Sequence, residues 1–109
     1  MGQSKAFFEP LRSLNFAGIS ASYANVGTPT VNPIRIFKIS NNTQGDMIFT
    51  TTGTQDEMFL SAGSFTLYDV QANMNPRYDD KYVLPIGAQF QVKQVTAPVS
   101  GNVYVECFC

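Results

Sequence analysis

Along most of the chain, apolar and polar positions alternate with a period of two. Ala88, Phe90 and Val92 take the even positions of Ala88–Val95, with Gln89, Gln91 and Lys93 between them. Asn102–Cys109 repeats the period through Val103, Val105 and Cys107. A period of two puts one set of side chains on each face of a strand, so such segments line a sheet with one buried face. Ile34–Ser40 is apolar and rich in β-branched residues, which predicts a central strand. Asn41-Asn42-Thr43-Gln44-Gly45-Asp46 then supplies turn chemistry, and Met47–Thr51 reads as the return strand of a hairpin. Leu14–Tyr23 reads as a first strand whose phase changes at Gly18, as at a β-bulge. Asn25–Pro33, with Gly27, Pro29 and Pro33, is a connecting loop. Glu57–Leu60, Ser64–Val70 and a short Tyr82–Leu84 complete the set, with the polar stretch Gln71–Lys81 as the longest exposed loop.

About eight short strands with turns every eight to twelve residues indicate an all-β domain: a single small antiparallel β-sandwich, jelly-roll-like, spanning residues 14–109. Residues 1–13 form an N-terminal arm, because Pro10 interrupts any helix longer than a turn or two and Phe7, Phe8 and Leu11 make the segment apolar. An apolar terminal segment either docks on its own domain or lies on a neighbour. The strand phase predicts a core of Ile36, Ile39, Phe65, Leu67, Phe90, Val92, Val103 and Val105.

Charge changes the picture more than hydrophobicity does. Only 14% of the 109 residues are charged, against a typical ~25%, and the net charge is −1. A surface of Thr, Ser, Asn and Gln repels itself weakly, which suits packing against other subunits. The seven basic residues are scattered, so no run neutralises adjacent phosphates and nucleic-acid binding is not expected. No stretch approaches the ~20 apolar residues of a membrane helix, and Met1–Arg12 has no apolar signal-peptide segment, so assembly in the cytoplasm is expected. In an extended strand Cys107 and Cys109 point the same way with Cα atoms about 6.5–7 Å apart. That is the upper limit for a disulfide, so the pair reads as two small apolar thiols, with an intermolecular cross-link as the other reading.

Candidate chemistry is sparse. Without histidine there is no ordinary base to activate a Ser, Thr or Cys nucleophile, and no phosphate-cradling glycine loop occurs. Asp79-Asp80 offers oxygen ligands of the kind calcium takes, but Asp69, Asn73 and Asn75 do not reproduce a calcium-loop spacing. A solvated turn accounts for them. The expectation is a protein that is not an enzyme and needs no cofactor or metal. Aromatic residues make up 13% of the chain, and these read mainly as core and interface anchors. Phe7, Phe8, Leu11, Tyr78 and Tyr82 are the candidate intersubunit contacts. The alternative is a carbohydrate- or receptor-binding sandwich that uses loop tyrosines such as Tyr78 and Tyr82.

Three stretches carry a resemblance: Asn32–Thr43, Phe59–Asp69 and Tyr82–Tyr104. They run strand, Asn-x-Thr-x-x-Asp turn, Ala-Gly-Ser-Phe-x-Leu-Tyr-Asp, a polar loop, Pro-x-Gly-x-x-x-x-Val-Lys, and Ser-Gly-x-Val-Tyr-Val. In this order they resemble a group of small virion proteins of tailed bacteriophages, over roughly Leu14 to Glu106. Two departures stand out: Thr52-Gly53 where that group often has Asp-Gly, and the Cys-Phe-Cys ending. The resemblance implies a non-enzymatic structural subunit, present in many symmetric copies and located in the virion. It would be head-associated, as capsid decoration or cement, or as a ring at the head–tail connector or collar. The implied partners are copies of itself and other virion proteins (capsid, portal or connector).

Overall fold

The computed structural model describes residues 8–69 and 86–108. Eight strands are seen among them: β1 (Arg12–Asn15), β2 (Ala24–Asn25), β3 (Ile36–Thr43), β4 (Met47–Thr50), β5 (Met58–Leu60), β6 (Phe65–Asp69), β7 (Gln91–Gln94) and β8 (Gly101–Phe108). The first sheet has the order β1-β8-β3-β6 and the second β2-β7-β4-β5. Every pairing is antiparallel. The pairs β1·β8, β2·β7, β3·β6 and β4·β5 nest one inside the next, while β3·β8 and β4·β7 join them into sheets. A long antiparallel hairpin folded across itself gives this arrangement, and it is the two-sheet jelly roll.

The connection Gln44–Asp46 does not close a hairpin. β3 lies in the first sheet and β4 in the second, so the chain crosses between layers there. β5 and β6 are joined by a second crossing of the same kind. Asn41 explains both. Its buried side-chain amide donates to the carbonyls of Gly45 (2.8 Å), Leu60 (3.1 Å) and Ser61 (3.2 Å), and its Oδ1 accepts from the Thr43 hydroxyl (2.7 Å). One side chain thus satisfies backbone groups of both crossings where no strand neighbour is available. Glycine is required at two adjacent places. A Cβ on Gly45 would overlap the Thr96 carbonyl, and one on Gly101, at φ +93°, would overlap that of Asn42.

The core lies between the sheets. Ile39, Phe90, Val92, Val103 and Val105 are fully buried there, with Val26, Ile34, Met47 and Phe49 beside them. Three expected core residues are elsewhere. Ile36 and Ile39 are three apart, so a regular strand sends them to opposite faces, and Ile36 lies half-buried on the outer face of β3. Phe65 and Leu67 are 65% and 61% exposed. Register decides their direction. Phe65 pairs with Ser40 and Leu67 with Lys38, both outward, whereas Thr66 and Tyr68 pair with the inward Ile39 and Phe37. Tyr68 stacks on Phe37 with ring centroids 5.0 Å apart.

The first strand is also shorter than expected. Leu14–Tyr23 is β1, then a 3-10 turn over Phe16–Gly18 capped by the Asn15 side chain, then a crossing to β2. Nor does the described part of the arm stand apart from the domain. Phe8 bridges Phe108, the Glu9 N–H donates to the Cys107 carbonyl (3.0 Å), and β1 begins at Arg12. Glu9 and Arg12 are each only 4% exposed and form an ion pair of 2.6 Å. Arg12 also donates to the carbonyls of Thr28 (2.7 Å) and Pro29 (3.2 Å), while Glu9 accepts from the Val31 N–H (3.1 Å) and the Asn32 amide (2.8 Å). The segment from residue 8 onward is thus part of the sandwich. Tyr82–Leu84, read as a strand, lies outside the described residues.

Candidate functional site: an apolar hollow on the outer face of the first sheet

On the outer face of the first sheet, polarity changes along the strand direction. Paired residues of β3 and β8 run Asn42–Asn102, Ser40–Tyr104, Lys38–Glu106 and Ile36–Phe108, from polar to apolar. β6 adds Phe65 beside Ser40 and Leu67 beside Lys38, and Phe8 joins past the far edge through Phe108. Period-two patterning produces this arrangement once β3 fixes which parity faces inward. Phe8, Ile36, Lys38, Leu67, Glu106 and Phe108 together line a hollow of about 390 Å³.

Aromatic and charged groups hold the lining in place. The Phe8 and Phe108 rings meet edge-on at 5.0 Å, and the Arg35 guanidinium lies 5.6 Å from the centre of the Phe108 ring. Lys38 Nζ lies 4.6 Å over the Phe65 ring and 3.9 Å from the Glu106 carboxylate, with both side chains about two-fifths exposed. The hollow therefore has apolar walls with one cation–anion pair in its lining. Concave apolar surface with a few polar groups is the usual chemistry of a recognition site.

A second cluster lies against the second sheet. The Tyr23 hydroxyl donates to Asp56, Lys93 Nζ is 2.9 Å from the same carboxylate, and Lys93 also sits 4.9 Å over the Tyr23 ring. Burial, together with the hydrogen bond to Asp56 and the charges of Asp56 and Glu57, pushes the Tyr23 phenol up to about 12. Hydrogen bonds from Lys93 and Tyr23 hold the Asp56 carboxyl below its usual range. Next to it the Thr51 N–H (2.8 Å) and the Thr51 (3.1 Å) and Thr52 (3.3 Å) hydroxyls donate to the Glu57 carboxylate. These contacts close the β4–β5 loop, and the cluster's groups satisfy one another.

Of the expected contact residues, Phe8 and Leu11 are exposed, and Phe8 lines the hollow. Phe7, Tyr78 and Tyr82 lie outside the described residues, as do Asp79 and Asp80. Phe65 and Leu67 belong to this face although the sequence reading put them inside. The available signal was the pair Lys38 and Ser40. Polar residues on β3 mark the outward parity, and cross-strand pairing passes that parity to β6. Among the described residues no three metal-ligating side chains converge, and no helix is long and apolar enough to cross a membrane. Comparison with family models, with curated proteins and with solved structures returned no match.

Proposed function

We propose that this chain is a non-enzymatic structural subunit of a tailed-phage virion, present in many symmetric copies in the head-associated region. There it clamps capsid subunits as decoration or cement, or forms a ring at the head–tail connector. The observation that carries the reading is the apolar outer face of the first sheet. Phe8, Phe65 and Leu67 are each more than 60% exposed on one side of a sandwich whose core is already complete without them. Side chains of that size held outward cost solubility, and the cost is offset when a neighbouring subunit covers them. The charge-poor surface supports the same reading, because it adds little repulsion between many close copies. Capsid, portal or connector chains and further copies of the subunit are the partners that follow.

The test is the composition of the particle. Quantitative mass spectrometry of purified particles from the phage that encodes this chain should find it in multiple copies per particle. Its absence from particles, with the chain abundant in the infected cell, would overturn the reading.

A further inference from the structure

We propose that the outer face of the first sheet pairs with the same face of a second copy across a two-fold axis parallel to β3 and β8. This inference names the partner at the assembly surface and rests on that reading of the face. Charge arrangement is the first argument. Lys38 and Glu106 face each other across the β3·β8 register and both line the hollow, one cation beside one anion. Turning a copy over about an axis running between these strands sets β3 above the partner's β8. Lys38 of each copy then meets the carboxylate of the other, and the four charges alternate in sign. The same operation sets Ile36 against Phe108, which share the adjoining register pair. It also brings Leu67 toward the β1 edge, where Leu11 is 60% exposed. A Lys38–Glu106 pair flanked across the sheet by Leu67 and Leu11 is complementary to itself, as an isologous contact requires, with Asp69 beside Ile36 on the edge strand β6 and Arg35 against Phe108 at the end of the same face.

Area is the second argument. Phe8, Phe65 and Leu67 are 68%, 65% and 61% exposed. With about 150–250 Å² for each phenylalanine and somewhat less for leucine, these three present on the order of 400 Å² of apolar surface. Ile36, Phe108 and the Lys38 stem extend it, so two such faces together bury roughly 1,000 Å², the threshold of a specific interface. Stacked sheets lie ~10 Å apart, which lets the side chains of the two faces interdigitate. A net charge of −1 per chain leaves little long-range repulsion between copies.

Sedimentation equilibrium over a concentration series tests the pairing. The chain should approach twice its 12.0 kDa mass as concentration rises. Lys38→Glu alone, which sets four carboxylates together, should weaken dimerisation by roughly tenfold or more, and Glu106→Lys alone should do the same. The double variant Lys38→Glu/Glu106→Lys restores alternation and should restore the dimer. Thermal melts by circular dichroism, run dilute enough that every variant is monomeric, should be nearly unchanged in all three, since the intrachain pair is a surface contact. A chain that stays monomeric at the highest concentration, an oligomer indifferent to both single reversals, or a double variant that stays monomeric would each overturn the two-fold pairing. None of these outcomes changes the copy number found in particles, so the virion reading stands or falls on its own measurement.

Discussion

Glu9 shows how one residue can join a segment to a domain. Burial raises its carboxyl pKa, but hydrogen bonds from Arg12, Asn32 and the Val31 N–H, with the Arg12 charge, outweigh burial and hold it below the usual 4.5. A depressed folded-state pKa contributes stability that is complete above the unfolded value and lost as pH falls through the folded one. Glu9→Gln leaves the buried Arg12 charge without its counterion, and should cost about 3 kcal/mol at neutral pH in urea unfolding. It should also flatten the loss of stability on the acid side of 4.5, leaving the contributions of the depressed Asp56 and Glu57 carboxyls. An unchanged urea midpoint would mean that the pair adds nothing. Core and face residues should differ as sharply. Phe90→Ala removes a fully buried ring and should cost about 3–5 kcal/mol. Leu67→Ala, at an outward position, should leave the melting temperature of the isolated chain almost unaltered. Strand interiors were legible because Phe90, Val92, Val103 and Val105 alternate with polar neighbours. Phe65 and Leu67 misled because alternation separates two faces without saying which is inward, and β6 has its larger apolar groups outside.

At the scale of elements, seven of the eight strands were visible as segments; most edges moved by a few residues, while the first strand, expected to run to Tyr23, ends at Asn15. The missed one is β2, whose two residues have no periodicity to read. How the strands connect was less legible. Asn41–Asp46 has the composition of a hairpin turn, yet it carries the chain from one sheet to the other, because turn residues report a change of direction and not its plane. The determinant is Asn41, a polar residue at an inward position of β3, which serves backbone carbonyls at both crossings. Asn41→Ala would leave those carbonyls buried with fewer donors, and should cost about 2–3 kcal/mol. A chemical-denaturation midpoint within error of wild type would show that other groups organise the crossings. The arm boundary after residue 13 was equally hidden. Pro10 and the apolar run suggested separation, while the long-range partners of Glu9 and Arg12, at Thr28–Asn32, leave no local pattern.

Among the described residues the molecule is a jelly roll with a completed core and an outer face of the first sheet where large apolar side chains gather around the Lys38–Glu106 pair. Composition made the surface legible, and the resemblance to virion proteins supplied the assembly reading before any face was known. Neither could place the face, because Lys38, Leu67, Glu106 and Phe108 come together only through the β6-β3-β8 register. An electron cryomicroscopy reconstruction of the particle tests whether this face is an assembly surface of the virion. Density for the sandwich should appear in symmetric copies, with Phe65, Leu67 and Phe108 packed against a neighbouring chain. Copies bound through another surface, with those side chains turned to solvent, would contradict that role.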